Sequence, residues 1–235
     1  MDTSLRRPGG ELASRPLHFI WITDCSGSMI ANGKIQALND AIRESVPLMR
    51  NVAQDNPNAQ VLIRVLKFST GAHWHIDEPV PIEQFEWTDL AAAGLTDLGK
   101  ALSLVAEQMM VSAMHQRALP PVLVLVSDGQ PTDNYLNGLQ ELMDLPWGKK
   151  AVRIGIAIGT DANETVLEKF IGNPEIPVLR ANNPDVLTRY IKWASTVVLK
   201  SASSPGSRAQ VGMINGGNVE IPMLPTVPTT ALDVW

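Results

Sequence analysis

The sequence predicts an α/β protein with a mostly parallel central sheet, one antiparallel edge strand and helices on both faces. Three observations carry this expectation. Apolar runs of strand length alternate with longer segments of helical periodicity, the order that a parallel sheet covered on both faces requires. Two of the runs, Phe19-Ile20-Trp21-Ile22 and Val122-Leu123-Val124-Leu125-Val126, are apolar throughout and read as buried strands. One pair of strands is separated only by Ser69-Thr70-Gly71, short enough for a hairpin, so that pair is antiparallel.

The elements follow in order. Residues 1–15 read as a flexible arm, and residues 17–23 form the first strand. Residues 34–55 repeat apolar side chains at Ile35, Leu38, Ile42, Val46 and Met49, a helix with Pro47 as a kink. Strands at 60–68 and 72–76 flank the hairpin. Residues 78–94 are Pro-rich and irregular, with Phe85 and Trp87 packed beneath. A helix is expected over 96–117, with Leu98, Ala101, Leu102, Val105, Met109 and Met114 on one face. Strand 122–127 and a short helix 137–145 come next. Then follow strand 152–158 and helix 163–171, for which Asn163 is the expected N-cap. A short strand 177–180 and a closing helix 184–199, with Pro in its first turn, complete the domain at 16–200. Residues 201–235 are a Gly/Pro/Ser-rich tail that cannot build a core of its own.

Composition narrows the function classes. A net charge of −5 provides no electrostatic footprint for nucleic acid. The one cysteine, Cys25, excludes an intrachain disulfide and fits a reducing compartment. The polar N-terminus lacks the apolar core of a signal peptide, and no apolar run reaches membrane-spanning length. The expected setting is cytoplasmic, with neither nucleic acid nor membrane as partner.

Chemistry concentrates where the first strand ends. Phe19–Thr23 runs into Asp24-Cys25-Ser26-Gly27-Ser28, so a carboxylate and two hydroxyls stand at the C-terminal edge of the sheet. Ligands of open α/β sheets bind at that edge. These are small hard oxygens, suited to Mg²⁺ and not to a soft metal. Two further oxygen sites share the setting: Thr96, before a helical pattern, and Asp128, at the end of the second buried run. Cys25, between site residues, is expected to point into the core.

Asp24-x-Ser26-x-Ser28, then Thr96, then Asp128, at intervals of about seventy and about thirty residues, resembles the metal-ion-dependent adhesion site of von Willebrand factor A domains. The resemblance implies a Rossmann-like fold and one Mg²⁺ site, with Mn²⁺ or Ca²⁺ as alternatives. It implies that Ser26, Ser28 and Thr96 present hydroxyls to the metal, while Asp24 and Asp128 act through water or brace the serines. Neutral donors leave the ion's charge poorly neutralised, so it accepts a carboxylate from a partner protein. Thr96, on a separate loop, can enter or leave as that carboxylate arrives.

Three segments resemble bacterial TerY-like A-domain proteins, named for tellurium-resistance clusters. These are Ser127-Asp128-Gly129-Gln130-Pro131-Thr132-Asp133-Asn134, Thr96-Asp97-Leu98-Gly99-Lys100-Ala101-Leu102 and Tyr190-Ile191-Lys192-Trp193-Ala194-Ser195. The likeness covers residues 17–200 and implies association with a Ser/Thr protein kinase and a metal-dependent Ser/Thr phosphatase, in signalling or stress response.

The chain is therefore expected to be a non-enzymatic, metal-dependent interaction module. One alternative is a Mg²⁺-dependent phosphohydrolase using Asp24 and Asp128. It is disfavoured because Ser26 lacks an evident base and Asp97 and Asp133 read as loop braces. Another is a chaperone-like partner of an AAA-type ATPase. In the tail, Asp233, Val234 and Trp235 combine a carboxylate with a large aromatic; they read either as a docking motif for a partner or as a tail lying on its own domain.

Overall fold

The structure, a computed structural model, describes residues 14–204, 223–225 and 235. Its centre is a six-stranded sheet in the order β3-β2-β1-β4-β5-β6. The strands are β1 (Arg15–Asp24), β2 (Ala59–Ser69), β3 (Gly71–Pro81), β4 (Val122–Ser127), β5 (Val152–Ile158) and β6 (Leu179–Ala181). All neighbours are parallel except β2 and β3, which the short turn at Thr70 makes antiparallel.

Strand periodicity sorts the core onto two faces. Phe19 and Trp21 of β1, with Val122, Val124 and Val126 of β4, point to one face. There they meet α1 (Lys34–Gln54), α6 (Pro184–Trp193) and α7 (Leu199–Ser203) through Leu38, Ile42, Met49, Leu187, Ile191 and Leu199. Ile20, Ile22, Leu123 and Leu125 point to the other face. They meet α2 (Leu98–Gln108), α3 (Tyr135–Asp144) and α5 (Glu164–Ile171) through Leu98, Leu102, Val105, Leu142, Leu167 and Phe170. Arg153, buried on β5, donates to the carbonyls of Phe170, Ile171 and Gly148 at 2.7, 3.2 and 2.8 Å. It thereby closes the C-terminal ends of α5 and of the short α4 (Pro146–Lys150). Helices α2 and α3 touch backbone to backbone: a β-carbon on Gly138 would lie 2.2 Å from the Gly99 carbonyl oxygen.

Several boundaries differ from the sequence expectation. The helix expected over 96–117 ends at Gln108, and the chain continues in turns with Met114 and Ala118 still buried. β3 extends through Pro79 to Pro81, because an edge strand leaves its outer N–H positions to solvent and so tolerates proline. The last strand begins two residues later than expected. Asn163 makes no side-chain cap to α5, whereas the Asn183 side chain accepts from Val186 N at 2.9 Å and caps α6. The closing helix passes through a π-helical turn at Ala194–Val198 and runs on to Ser203, so residues 201–203 belong to the domain and not to the tail. Arg15, placed in the arm, already pairs with Ala59; the rest of the arm, apart from Ser14, lies outside the described residues. None of the described helices is long and apolar enough to cross a membrane.

Candidate metal centre

β1 and β4 are adjacent, yet β1 leads to β2 on one side and β4 to β5 on the other. The connections leave in opposite directions and open a crevice at the C-terminal ends of these two strands. Asp24 is the last residue of β1, and Asp128 follows the last residue of β4.

Asp24 is fully buried. Its Oδ1 accepts the Ser26 backbone N–H at 2.8 Å, and its Oδ2 accepts the Ser127 hydroxyl at 2.6 Å. Burial pushes its carboxyl above the usual range; the bonds from Ser127 and Ser26 oppose that rise, and the charge of Asp128 adds to it. The Ser26 and Ser28 hydroxyls lie 2.8 Å apart, and Ser28 donates to Asp128 Oδ1 at 2.7 Å. Since Ser28 spends its single proton on Asp128, Ser26 is the donor between the serines. Asp128 Oδ2 accepts from the buried Lys34 ammonium at 2.8 Å.

Thr96 comes close to this group beside a glycine. A β-carbon on Gly129 would lie 3.3 Å from Asp24 Oδ2 and 3.3 Å from Thr96 Oγ1, so both oxygens border the same small space. The Thr96 backbone is held from the opposite loop. Its N–H donates to Thr132 Oγ1 at 3.1 Å, and its carbonyl accepts the Thr132 N–H at 2.9 Å. Asp97 and Asp133 brace the surrounding loops. Asp97 accepts from Gly71 N, Thr132 Oγ1 and Lys100 Nζ, and the Lys100 contact contributes most to holding its carboxyl below the usual range. Asp133 accepts the N–H groups of Gly99 and Lys100, at the start of α2, at 2.9 and 3.0 Å.

The segment after Asp24 is fixed by backbone bonds. Cys25 N donates to Phe68 O, Ala93 N to Cys25 O, and Gly27 N to Gly94 O. Cys25 itself points inward, and burial pushes its thiol up to about 12, with Asp24 beside it adding to the shift. Asn39 of α1 holds the outer loop by bonding both the N–H and the carbonyl of Leu90.

The structure thus gathers Asp24, Ser26, Ser28 and Asp128 in one hydrogen-bonded group and sets Thr96 across the Gly129 space. Two carboxylates and three hydroxyls form a hard-oxygen donor set, and Gly129 sets no side chain against Asp24 and Thr96, so the chemistry of the residues present fits a small hard cation. Among the described residues no three His, Cys, Asp or Glu side chains gather to hold a metal by themselves.

Sequence reasoning missed Lys34, Ser127 and Thr132. Lys34 had a legible signal: it stands four residues before Leu38 and eight before Ile42, on the buried stripe of α1. Of the three tail residues singled out, Asp233 and Val234 lie outside the described residues. Trp235 is seated on its own domain: its backbone N–H donates to Asn182 O at 3.2 Å, its indole N–H donates to Asn32 O at 3.1 Å, and its carbonyl accepts from Thr160 Oγ1 at 3.5 Å. The ring is partly buried against the core and keeps part of its surface open.

The model of the von Willebrand factor type A domain matches residues 20–192. No curated protein matches the chain. Among solved structures it is similar to the ArnB paralog VWA2 from Sulfolobus acidocaldarius, at 22% identity and a TM-score of 0.56, over 81% of this chain and 46% of that one. It is also similar to a von Willebrand factor type A protein from Catenulispora acidiphila, at 15% identity and TM-score 0.59, over 80% of this chain and 43% of that one. A third is proximal thread matrix protein 1 from the mussel byssus with a zinc-occupied MIDAS motif, at 21% identity and TM-score 0.62, over 79% of this chain and 48% of that one. The chain therefore spans less than half the length of each of these structures, and likenesses at such identities establish the fold.

Proposed function

Because this chain belongs to the von Willebrand factor type A domain family, we propose that it is a metal-dependent protein–protein interaction module whose centre is the Asp24–Ser26–Ser28–Thr96–Asp128 group. The observation that carries this proposal is the hydrogen-bonded Asp24–Ser26–Ser28–Asp128 group at the crevice between β1 and β4, with Asp24 Oδ2 and Thr96 Oγ1 meeting beside Gly129. Ser26, Ser28 and Thr96 would hold the ion, with Asp24 and Asp128 behind or beside them. A divalent ion there supplies an open coordination position for a partner's carboxylate. Mg²⁺ is the ion proposed, with Mn²⁺ or Ca²⁺ as substitutes; the zinc-occupied mussel protein supports a divalent cation in this fold.

The module acts without catalysing a reaction. Both carboxylates that the phosphohydrolase alternative would use are already engaged, Asp24 by Ser26 N and Ser127 and Asp128 by Ser28 and Lys34. The finer proposals rest on the three segments that resemble TerY-like proteins. They are a cytoplasmic bacterial setting, a scaffold or regulatory role in signalling or stress response, and association with a Ser/Thr protein kinase and a metal-dependent phosphatase. Titration calorimetry with Mg²⁺, followed by capture of the candidate kinase and phosphatase with and without EDTA, tests the proposal. Binding lost on chelation and in Thr96→Ala supports it. Partner binding indifferent to both, or phosphatase activity lost in Asp24→Ala, overturns it.

A further inference from the structure

Lys34 belongs to none of the motifs discussed above, yet its ammonium is buried at the candidate metal centre. It lies 2.8 Å from Asp128 Oδ2 and 3.5 Å from Asp161 Oδ1. Its placement is built in. Asn32 and Gly33, both at positive φ, turn the chain so that Lys34 opens α1 facing the core. Gly159, also at positive φ, leaves the space its side chain fills: a β-carbon there would stand 3.0 Å from Lys34 Nζ. The Asp128 contact is buried on both sides, whereas the Asp161 side chain is 71% exposed.

A buried ammonium against a carboxylate of the proposed site has two electrostatic effects. Asp24 and Asp128 carry two negative charges, which a divalent ion alone would neutralise. Lys34 cancels one of them beforehand, so the cation meets a less negative site and is held more weakly. The loaded site then retains a surplus positive charge, which favours an anionic ligand. We propose that Lys34 is the built-in counter-charge of this centre: it weakens cation binding and strengthens capture of a carboxylate by the loaded site. Asp161 draws on the same ammonium from the solvent side and moderates its hold on Asp128. This inference rests on the metal-binding reading of the site and assigns Lys34 a role in setting its selectivity.

The test uses the full chain at neutral pH and constant ionic strength. Mn²⁺ affinity is measured by calorimetry, and acetate binding to the Mn²⁺-loaded protein by loss of water-proton relaxation enhancement. Lys34→Met should bind Mn²⁺ about tenfold more tightly or better, and acetate correspondingly more weakly. A structural role alone would lower both affinities together. Asp161→Asn, at an exposed position that spares the fold, should do the opposite: Mn²⁺ several-fold weaker and acetate no weaker. Should Lys34→Met fail to fold, Asp161→Asn decides. Mn²⁺ affinity unchanged in either folded variant, or weakened in Lys34→Met, overturns the role of Lys34. Wild-type protein that binds neither Mn²⁺ nor Mg²⁺ overturns the metal reading itself, and this inference with it.

Discussion

Gly129 and His18 show how much a single position decides. At Gly129 the missing β-carbon leaves the space bordered by Asp24 Oδ2 and Thr96 Oγ1. Its backbone needs no left-handed conformation, so Gly129→Ala adds no backbone strain, but the new β-carbon crowds Asp24 and Thr96 and should cost about tenfold or more in Mg²⁺ affinity by calorimetry. His18 lies near the start of β1, and burial, aided by the charge of Arg64, pushes its imidazole from 6.5 down to about 4. The unfolded chain therefore binds more protons than the folded one between those values. This stabilising contribution is complete above pH about 6.5, is lost as pH falls toward 4, and is worth up to about 3 kcal/mol. Urea unfolding of His18→Gln across that window should show a shallower acid decline than the wild type. At this scale the gathering of Asp24, Ser26, Ser28 and Asp128 was legible only from the motif parts taken together at two strand ends, since a single Ser/Gly/Asp string is ordinary turn chemistry. Lys34 was not, because a lysine at the start of a helix ordinarily reads as a solvated side chain; only its place on the apolar stripe marked it.

Elements were legible where burial and period agreed, and misjudged where they parted. β4 and β5 appear at their expected bounds because every residue in them is buried. The overlong α2 came from counting buried residues without their spacing. Val105 to Met109 is one helical step, but Met109 to Met114 is five residues, and there the chain has left the helix. The closing helix hides a similar slip, since a π-helical turn adds a residue to the period without removing apolar character. Helix α1 runs unbroken through exposed Pro47, which cannot donate to the carbonyl one turn earlier. Pro47→Ala should raise stability by about 1 kcal/mol, seen as a higher urea midpoint at unchanged slope. A lower midpoint would mean that the proline matters more by restricting the unfolded chain.

For the molecule as a whole, alternation of strands and helices sufficed for the layers, but not for the reversal of strand order between β1 and β4, which alternation alone does not fix. Where the tail lies was not legible, because a short Gly/Pro-rich segment carries no periodicity to place it. In the structure Met223 O accepts the Trp193 indole N–H at 3.1 Å, and Trp235 packs against the α1 face of the core. Trp235→Ala should therefore lower stability by about 1–2 kcal/mol in thermal or urea unfolding. No change would mean that the ring spends its time elsewhere and is free for a partner. The contact between Gly99 and Gly138 bears on motion. With α2 against α3 at backbone distance, and Thr96 tied to Thr132 in both directions, Thr96 and α3 are expected to move as one body. An ion that draws Thr96 inward must carry that body along, so metal loading would be transmitted to the outer surface of α2 and α3, beside the 520 Å³ hollow lined by His73, Lys100 and Asn137. Amide exchange in α3, more than in α6, is where arrival of the ion would register at a distance.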